Sequence, residues 1–283
     1  MSLTARVAPA PYLPGQALHA AAAALRAAVQ ALQAEWTKFR TVAGPAGLLA
    51  GVVTLTVAVA VAAASAAQCQ SATCGIDPAA VSFTGIYPGQ AIVAVAGVLA
   101  IGNEYSTGMI KLSLTAMPGR PAWFFAKATV LTAPVLTASA LAVAGAALAG
   151  RLILPGKGFT PAHGYASLTS ATDLRAAVGA ILYLTLIALL SLGVAAVVRD
   201  SAVAIGLVLG VLYLFPIVAA LISNPTLARH LQQIGPMSAG LDAQATIGVK
   251  SLPLSPRQGL GVVALWAAGA LLLGALALKF RDA

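Results

Sequence analysis

Residues 44–67 read Gly-Pro-Ala-Gly-Leu-Leu-Ala-Gly-Val-Val-Thr-Leu-Thr-Val-Ala-Val-Ala-Val-Ala-Ala-Ala-Ser-Ala-Ala, a run without one charged side chain. Coiled into a helix at 1.5 Å per residue, it is long enough to cross the ~30 Å hydrocarbon layer of a bilayer. Five more apolar stretches follow, at 84–103, 122–149, 173–198, 201–222 and 259–278, with polar segments between them. The expected fold is therefore an all-α membrane protein with six transmembrane helices. Its expected organisation is a flexible N-terminus (1–15), an amphipathic interfacial helix (16–43) and a single six-span transmembrane domain (44–283).

Composition agrees. Of 283 residues, 60% are hydrophobic and 8% are charged, where soluble domains carry about 25% charged residues. Mean hydropathy is +0.93. The net charge of +9 sits in loops between apolar runs, which fits topology and anionic lipid and argues against nucleic acid.

The lead-in to the first span carries Pro9, Pro11, Pro14 and Gly15, an irregular start. From Gln16 to Arg40, Leu18, Leu25, Val29, Leu32, Trp36 and Phe39 recur on one helical stripe, beside a polar stripe of Arg26, Gln30, Gln33, Thr37 and Arg40. Such a helix lies in the headgroup layer. Ala64-Ser65-Ala66 resembles a signal-peptidase site, but the apolar run is too long for a cleaved leader.

The segment Gly102–Lys127 is the most distinctive polar stretch. It combines Glu104, Lys111, Arg120 and Lys127 with Pro118-Gly119, which stops a helix before the third span. A short helix at the membrane surface is expected there. Within the long segment before the last span, Leu227–Ile234 and Ala239–Thr246 are candidate short helices, forming a partly ordered cap.

Lys and Arg set the orientation. With both termini cytoplasmic, ten basic residues lie inside and six outside, and the first outer loop has none. Cys69 and Cys74 then face an oxidising compartment, where they can form a disulfide or stay as two thiols. Cys-x4-Cys supplies too few ligands for zinc and the wrong spacing for a redox motif, so no metal is expected.

Catalytic patterns are missing. There is no His-Glu-x-x-His and no Gly-x-Ser-x-Gly. Around Gly156-Lys157, Arg151 stands where a phosphate loop needs its first Gly, and Gly158 where it needs Ser or Thr. Ionisable residues are expected at span ends, which speaks against a proton relay.

Two motifs resemble the ABC-2 type permease subunits of bacterial ABC exporters, in the version common in actinobacteria. One is Glu35-Trp36-Thr37-Lys38-Phe39-Arg40 before the first span. The other is Gly102-Asn103-Glu104-Tyr105-Ser106-Thr107-Gly108-Met109-Ile110-Lys111, with Met117-Pro118-Gly119-Arg120 and Ala126-Lys127, after the second. Ser106 and Thr107 stand where that family often has a basic residue.

The resemblance implies a multi-pass protein of the bacterial plasma membrane that is not itself an enzyme. ATP and Mg2+ would be bound by two copies of a separate ATP-binding subunit. A second permease copy or a paralogue would complete the pathway through the lipid. Residues 104–117 would form a cytoplasmic coupling helix between spans 2 and 3, using Glu104, Tyr105, Met109, Lys111, Leu112 and Arg120. Met109, Leu112 and Ala116 share one face of such a helix, and Glu104, Lys111 and Arg120 would set register by charge. The substrate would be an amphipathic or hydrophobic drug, lipid or peptide. Tyr213, Phe215 and Pro216 would wall its pathway, or simply pack against neighbouring helices. A non-transporting sensor or structural subunit shares the same spans. So does a secondary carrier, against which the lack of charges within the spans counts.

Overall fold

The computed structural model describes residues 29–30, 32–38, 41, 43–69, 76–116, 120–159 and 170–280. The 1–15 lead-in, most of the expected interfacial helix 16–43, Met117-Pro118-Gly119, Cys74 and His163 lie outside them.

Among the described residues the fold is all helical, and six helices are long and apolar enough to cross a membrane. The protein is thus a multi-pass membrane protein. In chain order the elements are α1 (Ala43–Ala66), α2 (Pro78–Ser82), α3 (Ile86–Ser106), α4 (Met109–Ala116), α5 (Arg120–Ile153), α6 (Ala171–Val198), α7 (Ser201–Leu221), α8 (Pro225–Ile234), α9 (Pro236–Leu241) and α10 (Pro256–Phe280). The spans are α1, α3, α5, α6, α7 and α10.

Local chemistry sets the boundaries. Asp77 caps α2 by accepting from the Ala79 N–H at 2.9 Å, with Pro78 opening the helix. Ser170 caps α6 through the Asp173 N–H at 3.0 Å, and Asp200 caps α7 through the Val203 N–H at 2.8 Å. Arg199, at φ 63°, makes the tight left-handed turn between these last two spans. Pro134 and Pro216 lie inside α5 and α7.

The α6 helix is the most buried of the six and packs on α3, α5, α7 and α10; α1 lies against α3 and α5. Lipid tails are as apolar as the core, so helix association in membranes depends on close packing. Gly97 and Gly193 permit it. A Cβ at Gly97 would stand 2.4 Å from the Ala188 carbonyl oxygen, joining α3 to α6. One at Gly193 would stand 2.4 Å from the Ala270 carbonyl carbon, joining α6 to α10.

The two ends of the bundle differ. At one end the segment after α7 folds over the spans as α8, α9 and 3-10 turns at Asp242–Gln244 and Val249–Ser251. Arg175 donates to the Ala245 carbonyl at 2.6 Å, and Trp266 donates to the Ile234 carbonyl at 3.0 Å. At this end Cys69 is disulfide-bonded. The opposite end holds α4 and most of the buried charge.

Candidate functional site

Four charged side chains meet where α3 ends and α5 begins. Lys127, two turns into α5, donates to Glu35 Oε2 at 2.6 Å and to Glu104 Oε1 at 2.8 Å. Lys38 donates to Glu35 Oε1 at 3.1 Å, to Glu104 Oε1 at 3.2 Å and to Ser113 Oγ of α4 at 3.1 Å. Trp123 donates to Glu35 Oε1 at 3.2 Å, and its ring centroid lies 5.2 Å from the Lys127 ammonium. Glu35, Lys127 and Glu104 are only 3%, 6% and 8% exposed.

Helical spacing aims these groups. Glu35 and Lys38, one turn apart, share a face of the helical residues 32–38. Trp123 and Lys127 do the same on α5. The cluster thereby ties four segments together: the pre-span helix, α3, α4 and α5.

Two carboxylates and two ammonium groups balance, which is what makes a buried cluster tolerable. Burial alone would push the Glu35 carboxyl up, but Lys127 and Lys38 outweigh it and hold Glu35 below its ordinary value. Burial alone would lower Lys38, but Glu104 and Glu35 outweigh it and raise it.

Glu104 and Lys127 do stand near the ends of their spans, but they are buried there and not solvated. Helical structure extends past the apolar runs, to Ser106 and back to Arg120, so both residues lie inside helices and are buried. The interfacial stripes also omit the face that matters here. Val29 and Trp36 are exposed, whereas Glu35, on neither stripe, points into the protein. Glu35, Lys38, Ser113, Trp123 and Lys127 were not among the expected site residues. The signal for them was the one-turn spacing of Glu35 with Lys38 and of Trp123 with Lys127.

The expected coupling residues divide between two environments. Glu104 turns inward to the lysines. Tyr105 is half-buried, with the Arg199 guanidinium 5.9 Å from its ring centroid, and Arg120 donates to the Leu278 carbonyl at 3.2 Å. Lys111 is exposed, as are Met109 at 45% and Leu112 at 70%. Ile110 and Ser113 fix the opposite face of α4 to the bundle. Gly108, at φ 69°, breaks the chain between α3 and α4.

Tyr213, Phe215 and Pro216 lie towards the other end of the bundle. The Tyr213 hydroxyl donates to the Tyr87 carbonyl at 2.8 Å, and Phe215 meets Trp266 edge-on with centroids 6.3 Å apart. A 530 Å³ cavity between α6, α7 and α10 is lined by Leu207, Val208, Val211 and Trp266, among others, but by none of these three. Among the described residues no group of three or more His, Cys, Asp or Glu could hold a metal ion.

No family model matches the chain, and no curated protein is significantly similar to it.

Proposed function

We propose that this chain is the permease subunit of an ABC-2 type, ATP-driven exporter in a bacterial plasma membrane. On this reading α4 is the cytoplasmic coupling helix, and both chain termini lie on its side of the membrane. Two copies of an ATP-binding subunit bind ATP and Mg2+, and two permease chains enclose the pathway for an amphipathic or hydrophobic substrate.

The observation that carries this reading is the construction of α4. Its outer face presents Met109, Lys111 and Leu112 as exposed side chains, and its inner face is fastened to the charge cluster through Ser113 and Lys38. An apolar outer face flanked by a cation suits a groove on a soluble protein. Force applied to α4 passes through Lys38 to Glu35 and Glu104, and so reaches the pre-span helix, α3 and α5 together.

Purification of the tagged full-length chain from its native membranes tests the proposal. ATPase activity should copurify with the wild type and fall to background with Leu112→Asp, which places a charge in the docking face. Wild-type preparations without ATPase activity, or an unchanged Leu112→Asp preparation, would overturn the assignment.

A further inference from the structure

A cavity of 700 Å³ opens beside the charge cluster, within the ~300–1,000 Å³ range of small-molecule sites. Its walls are apolar, including Leu48 and Leu49 of α1, Leu99 of α3 and Leu131 of α5. Its polar end is formed by the cluster and Asn103. We propose that this cavity binds an amphiphile with an uncharged, hydrogen-bond-donating head, a hydroxyl or amide, whose tail lies along α1, α3 and α5. The site belongs to this chain alone and does not depend on the exporter assignment.

Hydrogen-bond capacity selects the head. Lys38 uses all three of its N–H groups, on Glu35, Glu104 and Ser113. Lys127 bonds both carboxylates and lies against the Trp123 ring. Both oxygens of Glu35 accept. Glu104 differs: Oε1 accepts from both lysines, and Oε2 is buried with no donor. Glu104 itself lines the cavity. The exposed Asn103 side chain beside it offers a donor and an acceptor. Within the cluster the unmet need is a donor for Glu104 Oε2, and no charge is lacking.

Electrostatics select against ions. Within the cluster two negative and two positive charges cancel. A cationic head would add an uncompensated charge close to two ammonium groups. An anionic head would meet the unfilled carboxylate oxygen. Either is costly in a low-dielectric setting, whereas a hydroxyl or amide leaves the balance unchanged.

Photolabelling tests this on the full-length chain in nanodiscs, with a long-chain monoacylglycerol carrying a diazirine in its acyl chain. Label should concentrate on the α1, α3 and α5 residues that line the cavity and yield to excess monoacylglycerol but not to oleylamine. Leu99→Trp fills the apolar section without touching the cluster and should cut labelling about tenfold. Asn103→Asp, at an exposed position, adds a negative charge and should make oleylamine an effective competitor. Competition by diacylglycerol as well would support the site and assign it to a bilayer lipid; competition by monoacylglycerol alone would support it and assign it to a single-chain ligand. Label spread evenly over all spans, labelling unchanged in Leu99→Trp, or displacement of the wild-type label by oleylamine would overturn the proposal. None of these measurements involves an ATPase, so they stand or fall separately from the coupling experiment.

Discussion

Lys127 holds two buried carboxylates at once, and that makes it the most sensitive residue in the cluster. Lys127→Ala leaves Glu35 and Glu104 facing each other with only Lys38 between them. Breaking a buried pair costs about 3–5 kcal/mol. Lys38→Ala removes a side chain that is 38% exposed, where water compensates, and should cost about 1 kcal/mol. Thermal unfolding in detergent measures both, and equal losses would refute burial as the deciding factor. Asp242, under the cap, runs the opposite way from Glu35. Burial raises its carboxyl from 3.8 to about 6, against a backbone hydrogen bond from Leu254 that lowers it. Between those values the folded state holds more protons than the unfolded state, so stability falls as pH rises through that window. Asp242→Asn should raise the melting temperature at pH 7.5 and flatten its slope between pH 4 and 6. Glu35, held low, contributes stability that is present above 4.5 and lost as pH falls through its folded value; acid unfolding below that window should survive in Asp242→Asn. Little of the cluster was legible in the sequence. Glu104 and Lys127 stood out as charges beside apolar runs, but the partner that buries Lys127 lies 92 positions away, and no local pattern encodes that pairing.

The spans themselves were legible because a bilayer demands long uncharged runs, and each of the six observed spans overlaps an expected one. The α3 helix shows where composition stops helping: Pro88-Gly89 in its sequence could begin a helix or kink one, and the structure begins it at Ile86, with Pro88 in the first turn where its missing N–H costs nothing. The α2 helix, five residues long, is too short for periodicity, and only Asp77-Pro78 announces it. The expected Ala239–Thr246 helix is split in the structure: α9 begins earlier, at Pro236, and a 3-10 turn follows at Asp242–Gln244. How helices meet was not legible, because glycines look alike in sequence. Gly193 abuts the Ala270 backbone, whereas a Cβ at Gly206 in α7 would meet nothing within 4 Å. Gly193→Ala should push α6 from α10 at a cost of about 1–3 kcal/mol. Gly206→Ala should be neutral or stabilise by up to about 1 kcal/mol, since alanine favours a helix more than glycine does. The melting temperature should fall in Gly193→Ala and hold or rise in Gly206→Ala, and a matched shift would mean the α6–α10 contact is not close-packed.

At the scale of the whole molecule, each end of the bundle is fastened by acidic side chains reaching between segments far apart in the chain. At the charged end Glu35 and Glu104 gather the pre-span helix, α3, α4 and α5. At the capped end Asp77 does comparable work alone. Its carboxylate caps α2, and it also accepts from the Thr246 N–H at 2.7 Å, the Thr246 hydroxyl at 2.6 Å and the Ile247 N–H at 3.0 Å. The cap before α10 is thus pinned to the start of α2, 169 positions earlier in the chain. Hydrogen bonds to a charged group contribute about 1.5–3 kcal/mol each, yet the segment around Thr246 is short and partly exposed, so its local stability rests on this contact. Asp77→Ala should free the backbone amides of Thr246 and Ile247 to exchange with solvent at least tenfold faster, while α3 and α6 amides remain protected. Asp77→Asn keeps one acceptor oxygen and should fall between the two. Hydrogen–deuterium exchange in detergent reads all three proteins. Unchanged exchange at Thr246 in Asp77→Ala would show that the cap is held by Arg175 and Trp266 instead, while loss of protection throughout α6 would show that the cap and the bundle unfold as one unit.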